Sequence, residues 1–252
     1  MSDANGDDVM IVNAARHLGR LAAEGHGVCF VGIGLPSTAA NLARRLYDPA
    51  PVLVYESGCI GSKPLKLPLS IGDGELADTA DAVVSVPEIF TYWLQAGRID
   101  VGFLGGAQID RRGNINSTVI GDYDRPSTRL PGAGGAPEIA ASARQVMVVM
   151  RQTSRAFVER CDFVSSMGFG THRGHRAELG LRGGGPQLVI TDLGILTADE
   201  DEELVLSALH PGVEVEAARA ATGWPLRVAA KLARTEPVTA HEREQLDRLR
   251  AA

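Results

Sequence analysis

A single carboxylate stands where an apolar run of the sequence ends in a tight turn. The run Val52–Tyr55 is typical of a buried strand, and Glu56, Ser57 and Gly58 follow it directly. Ligands of open parallel sheets bind beyond the carboxyl ends of the strands, so Glu56 is well placed for chemistry. A glutamate that caps a helix or pairs with an arginine would fit the same position, and this segment alone favours that plainer interpretation.

A glycine-rich loop that leads into a helix, residues 130–138, is the second candidate. Backbone N–H groups without a neighbouring Cβ approach a ligand closely, and a helix N-terminus adds partial positive charge. The loop lacks the Lys-Ser/Thr ending of a Walker loop and is a poor dinucleotide fingerprint, so an oxyanion suits it better than a phosphate. A plain helix-entry loop is favoured on this segment alone. The candidate binding residues are Gly132, Gly134, Gly135 and Ala136.

A third segment combines glycines behind a predicted strand with asparagines in a loop. Gly105 and Gly106 follow the strand Val101–Leu104 and allow close backbone approach, while Asn114 and Asn116 offer side-chain amides. The alternative is a turn that fixes its own backbone, which is common for Asn and Asp.

Two histidines and two arginines share one short stretch. The spacing of His172 and His175 could suggest a metal, but no cysteine is near and Glu178 is the only carboxylate, so no metal site is predicted. Arg173 and Arg176 could meet a substrate carboxylate or a phosphate group. A solvated basic loop is the favoured interpretation of the stretch.

The remaining polar candidates have plainer interpretations. Cys59 lies three residues after Glu56, but a small apolar residue lining the turn is preferred to a thiolate nucleophile. Ser57 does not lie in a Gly-x-Ser-x-Gly elbow. Asp110 and Asp192 are interpreted as turn residues.

Hydrophobic periodicity predicts a βαβ unit around the first candidate. A helix is predicted from about Asp8 to Glu24, with Asp7 or Asp8 as its cap, and a buried strand follows over Val28–Ile33. A glycine turn, the helix Thr38–Leu46 and the strand Val52–Tyr55 complete the unit. A parallel sheet is therefore expected.

The strand and helix pattern repeats along the chain. Residues 105–136 are mostly loop. The other predicted elements are the strands Ala82–Val86, Val101–Leu104, Ser117–Ile120, Gln145–Met150, Leu188–Thr191 and Leu204–Leu206 and the helices Glu88–Ala96 and Pro137–Ala143. Residues 168–186 are either a flexible loop that closes over a ligand or an ordinary surface loop. Residues 240–252 are interpreted as a solvated helix or a frayed tail. A single domain over residues 1–252 is predicted, because no repeat or linker interrupts the chain.

The composition excludes several classes of function. The 252 residues are 44% hydrophobic, 22% charged and 5% aromatic, with 29 glycines and a formal net charge of −6. Without a basic patch or a stacking platform, neither nucleic acid nor a membrane surface is expected as a partner. The acidic start Met1–Asp8 is not a signal or transit peptide, and no apolar run reaches the length of a membrane span. The odd cysteine count, Cys29, Cys59 and Cys161, indicates free thiols in a reducing cytoplasm.

The three chemical segments, in this order, resemble the β-subunit of family I CoA-transferases. The nucleophile of that family lies in a Glu-Ser-Gly or Glu-Asn-Gly motif, matched by Glu56–Gly58, and its Gly-x-Gly-Gly segment is matched by Gly132–Gly135. The sequence is most similar to the glutaconate and 3-oxoadipate branches. Shorter matches extend the resemblance over roughly residues 10–225. These matches are residues 96–121, Phe157–Asp162, Val189–Gly194, His210–Val213 and Thr222–Trp224.

The resemblance implies a fold and a reaction. The fold is an open, mostly parallel α/β sheet flanked by helices, of the NagB/RpiA type. The Glu56 carboxylate would attack the thioester of an acyl-CoA, a mixed anhydride would form, and the CoA thiolate would return to give a glutamyl-CoA thioester. Backbone donors around Gly134 and Gly135 would stabilise the oxyanion. The other residues expected to bind the oxyanion or CoA are Gly132, Ala136, Gly105, Gly106 and Asn114. An incoming carboxylic acid, such as glutaconate or 3-oxoadipate, would reverse the steps, and no cofactor beyond the CoA thioester substrate is implied.

The resemblance also implies a partner. The enzymes consist of two related subunits, one of which supplies the glutamate and the other part of the substrate pocket, so a homologous α-type subunit is expected. Two alternatives keep the fold. One is a hydrolase or decarboxylase of CoA esters, which lacks the glutamate, and the other is a non-catalytic subunit that completes a partner's site. Glu56 and the intact glycine-rich loop argue against both.

Overall fold

The computed structural model describes residues 5–251, in which helices alternate with strands. A π-helical turn, Ile89–Leu94, continues the fourth helix. The helices are α1 (Gly6–Ala23), α2 (Leu35–Leu46), α3 (Gly74–Asp78), α4 (Val86–Glu88), α5 (Ala136–Ser142), α6 (His175–Glu178), α7 (Val215–Ala220) and α8 (Ala240–Ala251). No helix in this part of the chain is long and apolar enough to span a membrane.

The strands are short, and the longest has seven residues. They are β1 (Val28–Val31), β2 (Val52–Tyr55), β3 (Cys59–Ile60), β4 (Ala82–Val83), β5 (Val101–Leu104), β6 (Gln108–Ile109), β7 (Ile115–Asn116), β8 (Val119–Gly121), β9 (Pro126–Arg129), β10 (Gln145–Val149), β11 (Leu188–Ile190), β12 (Gly194–Ala198), β13 (Leu204–Leu209) and β14 (Val228–Arg234).

Two compact units can be distinguished. The first contains the described residues up to Phe103 together with those from Pro237 onward, and the second contains Leu104–Glu236. The assignment of residues 1–252 to a single domain stays a prediction.

The sheet of the first unit has the strand order β5-β1-β2-β3-β4. Strands β5, β1 and β2 are parallel, and Val31 lies opposite Tyr55 in register, so β1 and β2 end at the same edge. Strands β3 and β4 then run antiparallel to their neighbours. The sheet contributes buried apolar side chains to the core, among them Phe30, Leu53 and Val54. The residue after β2 therefore lies at the carboxyl edge of a parallel sheet.

The second unit carries a mixed sheet and two small hairpins. Strand β10 pairs with β11 in parallel. Strand β12 runs antiparallel to both of its neighbours, β11 and β13, and β14 is parallel to β13. The hairpins pair β6 with β7 and β8 with β9. Phe157 and Trp224 are buried and stack with ring centroids 5.9 Å apart. The predicted α/β fold with an open, mostly parallel sheet and flanking helices is confirmed.

Several predicted boundaries are wrong at helix starts. Helix α2 begins at Leu35 rather than Thr38, because Pro36 is tolerated in a first turn where its missing N–H has no partner to lose. The cap of α1 is Asn5, not Asp7 or Asp8. The carboxylate of Asp8 instead forms ion pairs with arginines of α8.

The predicted strand Ala82–Val86 and helix Glu88–Ala96 are also displaced. Strand β4 ends at Val83, since Ser85 and Glu88 form a capping box that starts α4 at Val86. The following turn widens into a π-helix, which ends at Leu94. Such widened turns carry no signature in hydrophobic periodicity.

Short elements were missed altogether. The predicted strand Ser117–Ile120 is β8, which begins two residues later and ends one residue later, and β13 continues to Leu209. Elements of two to seven residues with mixed polarity have too few repeats for a periodic signal. The unpredicted elements are β3, β6, β7, β9, β12, β14, α3, α6 and α7.

The C-terminal segment is a packed helix and not a frayed tail. Leu246 and Leu249 of α8 are buried, and Arg16 of α1 donates to Glu242 at 2.6 Å and 2.7 Å. The remaining face of α8 is exposed, as a solvated helix predicts. Ala252 and the first four residues of the acidic start lie outside the described residues.

Candidate active site

The turn after β2 presents Glu56 at the edge of the first unit's sheet. The Gly58 N–H donates to the Tyr55 carbonyl at 3.0 Å, which closes a four-residue β-turn and reverses the chain into β3. Glu56 occupies the first central position of this turn. Its backbone is therefore set by a local hydrogen bond and by the pairing of two strands.

Gly58 is required by this turn. Its φ is +100°, and a Cβ atom there would overlap the carbonyl oxygen of Val84. The same strand neighbour donates its N–H to the Gly58 carbonyl at 3.0 Å. No other residue type fits both the positive φ and the close backbone approach.

The Glu56 carboxylate is half-buried and unpaired. Within residues 5–251 it has no ion-pair partner and no hydrogen-bond donor. The interpretation of Glu56 as a helix cap or an arginine partner is therefore wrong. A half-buried carboxylate on a fixed turn, with both oxygens available, can act as a nucleophile or a base.

A buried polar group anchors the strand residue that precedes Glu56. The Tyr55 hydroxyl accepts from Asn41 Nδ2 at 3.2 Å and lies 3.5 Å from Ser37 Oγ, both on α2. Burial raises the pKa of Tyr55, so it stays a neutral donor. Sequence reasoning missed this network, because Tyr55 was interpreted only as the last apolar residue of a strand.

The glycine-rich loop belongs to the second unit and is anchored on the segment before β8. The Gly132 N–H donates to the Ser117 carbonyl at 2.8 Å, and the Ala136 N–H donates to the Ala133 carbonyl at 3.0 Å. Two of the four predicted donors are therefore bonded internally. The N–H groups of Gly134 and Gly135 have no acceptor in the part of the chain that the structure describes.

The glycines after β5 differ in their surroundings. At Gly106 a Cβ atom would overlap the side chain of Ile115, so close packing of β7 accounts for this glycine. At Gly105 a Cβ atom would lie 3.5 Å from the Val149 carbonyl, an ordinary contact. The prediction that both glycines contact CoA stays a prediction.

Asn114 uses its whole side-chain amide inside the second unit. Its Nδ2 donates to Asp110 Oδ2 and to the Gly170 carbonyl, each at 2.9 Å. Its Oδ1 accepts from the N–H groups of Gly168 at 2.9 Å and Gly170 at 3.2 Å. The interpretation of Asp110 as a turn residue is confirmed, since it also accepts from the Arg112 N–H. CoA binding by Asn114 stays a prediction, and a ligand would have to displace one of these bonds.

Arg176 is a buried structural cation, so the solvated-loop interpretation is wrong for it. Only 5% of Arg176 is exposed. All five of its N–H donors bond to backbone carbonyls, and burial lowers its pKa. The acceptors are Ala140, Met167, Gly168 and Gly183, with Gly183 used twice. These hydrogen bonds hold both ends of residues 167–183 against Ala140 of α5.

The other polar side chains of this stretch are exposed or half-buried. His172 Nε2 lies 2.9 Å from Glu178 Oε2, and the rings of His172 and His175 stack with centroids 4.7 Å apart. Arg173 is exposed, as a solvated basic loop predicts. No group of three or more metal-ligating side chains occurs among residues 5–251.

The three cysteines are free and buried. Burial raises the pKa of Cys29 and of Cys161, which disfavours their thiolates. Cys59 is 3% exposed and lies 3.6 Å from Ser57 Oγ, so it lines the turn as a small apolar residue.

One family model matches most of the chain. It is the coenzyme A transferase model, and it covers residues 10–221. The chain is 54% identical to the B subunit of the 3-oxoadipate CoA-transferase of Pseudomonas knackmussii, over 100% of this chain and 95% of that protein. It is 40% identical to the B subunit of the glutaconate CoA-transferase of Acidaminococcus fermentans, over 87% of this chain and 86% of that protein.

Solved structures agree with these sequence matches. The glutaconate coenzyme A-transferase from Acidaminococcus fermentans superimposes with a TM-score of 0.87 at 33% identity, over 96% of this chain and 93% of that one. The decarboxylase AibA/AibB shares the fold, with a TM-score of 0.81 at 23% identity over 98% of this chain and 95% of that one.

Proposed function

The chain belongs to the coenzyme A transferase family, and we propose that it is the glutamate-bearing subunit of an enzyme that moves CoA between an acyl-CoA and a 3-oxoadipate-like dicarboxylic acid. The unpaired Glu56 carboxylate on its fixed turn carries this proposal. The choice of a 3-oxoadipate-like acid follows the Pseudomonas knackmussii relative, which is 54% identical to this chain. Glutaconate, the acid of the second relative, is the other acid to be assayed.

The proposed reaction uses Glu56 as a nucleophile. Its carboxylate adds to the thioester carbonyl, and loss of CoA thiolate leaves an acyl-glutamyl anhydride. The thiolate then attacks the glutamyl carbonyl and releases the first carboxylic acid, which leaves CoA on Glu56 as a thioester. The second acid repeats these steps in the opposite direction, so every bond broken in one half is remade in the other. No group beyond the CoA thioester is part of the proposal.

The proposed oxyanion donors are the N–H groups of Gly134 and Gly135. The support for this role is that neither has an acceptor in the described chain, whereas those of Gly132 and Ala136 do. A donor of this kind lowers a barrier by about 3–4 kcal/mol because it is oriented before charge develops. Gly132 and Ala136 then shape the loop without facing the oxyanion.

A companion subunit of the α type completes the proposed enzyme. The relatives from Pseudomonas knackmussii and Acidaminococcus fermentans are both named as B subunits, and this chain matches nearly their whole length. We place the complex in the cytoplasm, which the buried free thiols support.

Substitution of Glu56 tests the proposal. In the assembled enzyme, Glu56→Gln should reduce kcat for CoA transfer by about 10³-fold or more, since an amide is a poor nucleophile. The matched control is Glu216→Gln, an exposed glutamate of α7, which should leave kcat unchanged. Borohydride treatment of the enzyme with acyl-CoA should reduce Glu56 alone. Full turnover by Glu56→Gln would refute the transferase mechanism, and CoA release without an acceptor acid would indicate a hydrolase.

A further inference from the structure

The glycine-rich loop, residues 130–136, leads into α5 at its far end and is held by two hydrogen bonds at its near end. The Leu130 N–H donates to the Thr118 carbonyl at 3.0 Å, and the Gly132 N–H donates to the Ser117 carbonyl at 2.8 Å. Both acceptors belong to the two-residue link between β7 and β8. The position of the near end of the loop therefore depends on the position of this link.

The backbone of the link is fully hydrogen-bonded, because side chains accept from both of its N–H groups. The Ser117 N–H donates to Ser165 Oγ at 2.8 Å, and the Thr118 N–H donates to Asn116 Oδ1 at 3.0 Å. The Oγ of Ser165 also lies 2.6 Å from Thr118 Oγ1. Two side chains thus hold the link, and the glycine-rich loop bonds to its carbonyls.

Asn116 and Ser165 hold the link in different ways. Asn116 is fully buried, and its Nδ2 also donates to Gln108 Oε1 at 2.8 Å and to the Val119 carbonyl at 2.6 Å, so its loss would disturb three strands. Ser165 is half-buried, and within the described part of the chain its hydroxyl bonds only to the link. Its own N–H donates to the Ile115 carbonyl at 2.9 Å, which fixes Ser165 independently of the loop.

The donors that the loop carries need such anchors. A Cβ atom at Gly134 would meet no atom within 4 Å, so neighbouring segments do not confine that side of the residue. An oxyanion donor must lie about 2.7–3.1 Å from the developing charge, and a misplacement of about 1 Å costs about 10²-fold in rate. The alignment of the Gly134 and Gly135 N–H groups therefore depends on how firmly the ends of the loop are held.

We propose that Ser165 is a positioning residue for the transfer reaction, because its hydroxyl fixes the link and, through the link, the donors of Gly134 and Gly135. This inference rests on the proposed function, in which those donors stabilise the oxyanion. Ser165 acts through the link and not on the substrate itself. Loss of its hydroxyl should slow the chemical step and leave the binding of acyl-CoA unchanged, since the oxyanion charge develops only toward the transition state.

Ser165→Ala tests the inference in the assembled enzyme under single-turnover conditions. The rate of thioester formation on Glu56, followed by borohydride trapping at saturating acyl-CoA, should fall about tenfold. The acyl-CoA concentration that gives half of the maximal rate should change less than about twofold. Ser165→Thr keeps a hydroxyl on the same carbon and should restore the rate to within about twofold of the wild type.

The matched control is Ser127→Ala on β9. The hydroxyl of Ser127 donates to the Ile120 carbonyl at 2.9 Å, so it bonds within the same hairpin but not to the link. This variant should keep the wild-type rate. Circular dichroism checks that all three variants are folded.

Glu56→Gln separates this inference from the proposed function, because it should form no thioester. A wild-type rate for Ser165→Ala, an effect confined to the half-saturating concentration, or an equal loss in Ser165→Thr or Ser127→Ala would overturn the positioning role while Glu56 remains the nucleophile. Full CoA transfer by Glu56→Gln would instead refute the proposed function, on which the role of Ser165 rests.

Discussion

Among residues 5–251 the Glu56 carboxylate has no hydrogen-bond or ion-pair partner, whereas the turn that carries it is held by the hydrogen bonds of Gly58 to Tyr55 and Val84. The Tyr55 hydroxyl adds a third anchor through Ser37 and Asn41. A reacting group that is aimed by its backbone keeps both oxygens free for chemistry. The cost is that the turn itself tolerates little change.

Gly58→Ala should therefore destabilise the chain and impair transfer together. A positive φ costs a residue with a Cβ about 1–2 kcal/mol, and the overlap with the Val84 carbonyl adds to that cost. Urea unfolding measures the loss. The control is Gly25→Ala at the end of α1, where φ is +81° but nothing lies within 4 Å, so only the conformational cost applies. Equal losses for the two variants would contradict the steric part of this account.

Residues 168–186 contain only the short helix α6, and side-chain hydrogen bonds hold the rest of the segment. Asn114 bonds the backbone of Gly168 and Gly170, and Arg176 bonds the carbonyls on the other side of the loop. These bonds favour the ordinary surface loop of the two alternatives, and closure over a ligand stays a prediction. Short helices such as α6 are stable here because of such tertiary bonds.

Arg176→Lys should destabilise the second unit by about 3–5 kcal/mol, although it keeps the positive charge. A lysine has three donors on one nitrogen and cannot reach four carbonyl groups, so buried acceptors lose their partners. Arg173→Lys, an exposed neighbour, should stay within about 0.5 kcal/mol of the wild type. Chemical denaturation of the two variants makes the comparison. Similar free energies of unfolding for the two variants would show that the hydrogen bonds of Arg176 contribute little to stability.

At the scale of the whole molecule, one buried histidine links stability to pH. His210 is 2% exposed, its Nε2–H donates to the Thr191 carbonyl at 2.8 Å, and its Nδ1 accepts from Thr235 Oγ1 at 2.8 Å. Burial lowers its pKa below the ordinary 6.5, and the bond to Thr191 only partly opposes this. His210 therefore binds a proton less readily in the folded chain than in the unfolded chain.

The free energy of unfolding should fall as the pH decreases below about 6.5, by up to about 1.4 kcal/mol per pH unit, until His210 is protonated in the folded state. Above pH 6.5 its contribution is complete. Urea titrations at about pH 7.5 and about pH 5.5, on either side of the ordinary histidine pKa, measure the difference. His210→Gln should flatten the slope, whereas His241→Gln, exposed on α8, should not. An unchanged slope in His210→Gln would assign the pH dependence to other groups.

Local patterns of neighbouring residues are sufficient to predict several elements of this fold. Apolar runs of four or more residues marked β1, β2, β5 and β10, and the glycine turn after β2 marked the position of Glu56. Family motifs then identified the reaction class. These inferences succeed because a buried parallel strand needs a continuous apolar run and a tight turn needs glycine, and both are properties of neighbouring residues.

Which polar groups have hydrogen-bond partners depends on contacts between segments that are distant in sequence. Arg176 and its acceptor Ala140 are 36 residues apart, and Tyr55 and Ser37 are 18 apart. Whether a carboxylate, an amide or a guanidinium has a partner depends on which segments pack together, and periodicity does not encode that. The same packing leaves Glu56 without a partner among residues 5–251 and commits the side chain of Asn114 to bonds within the fold.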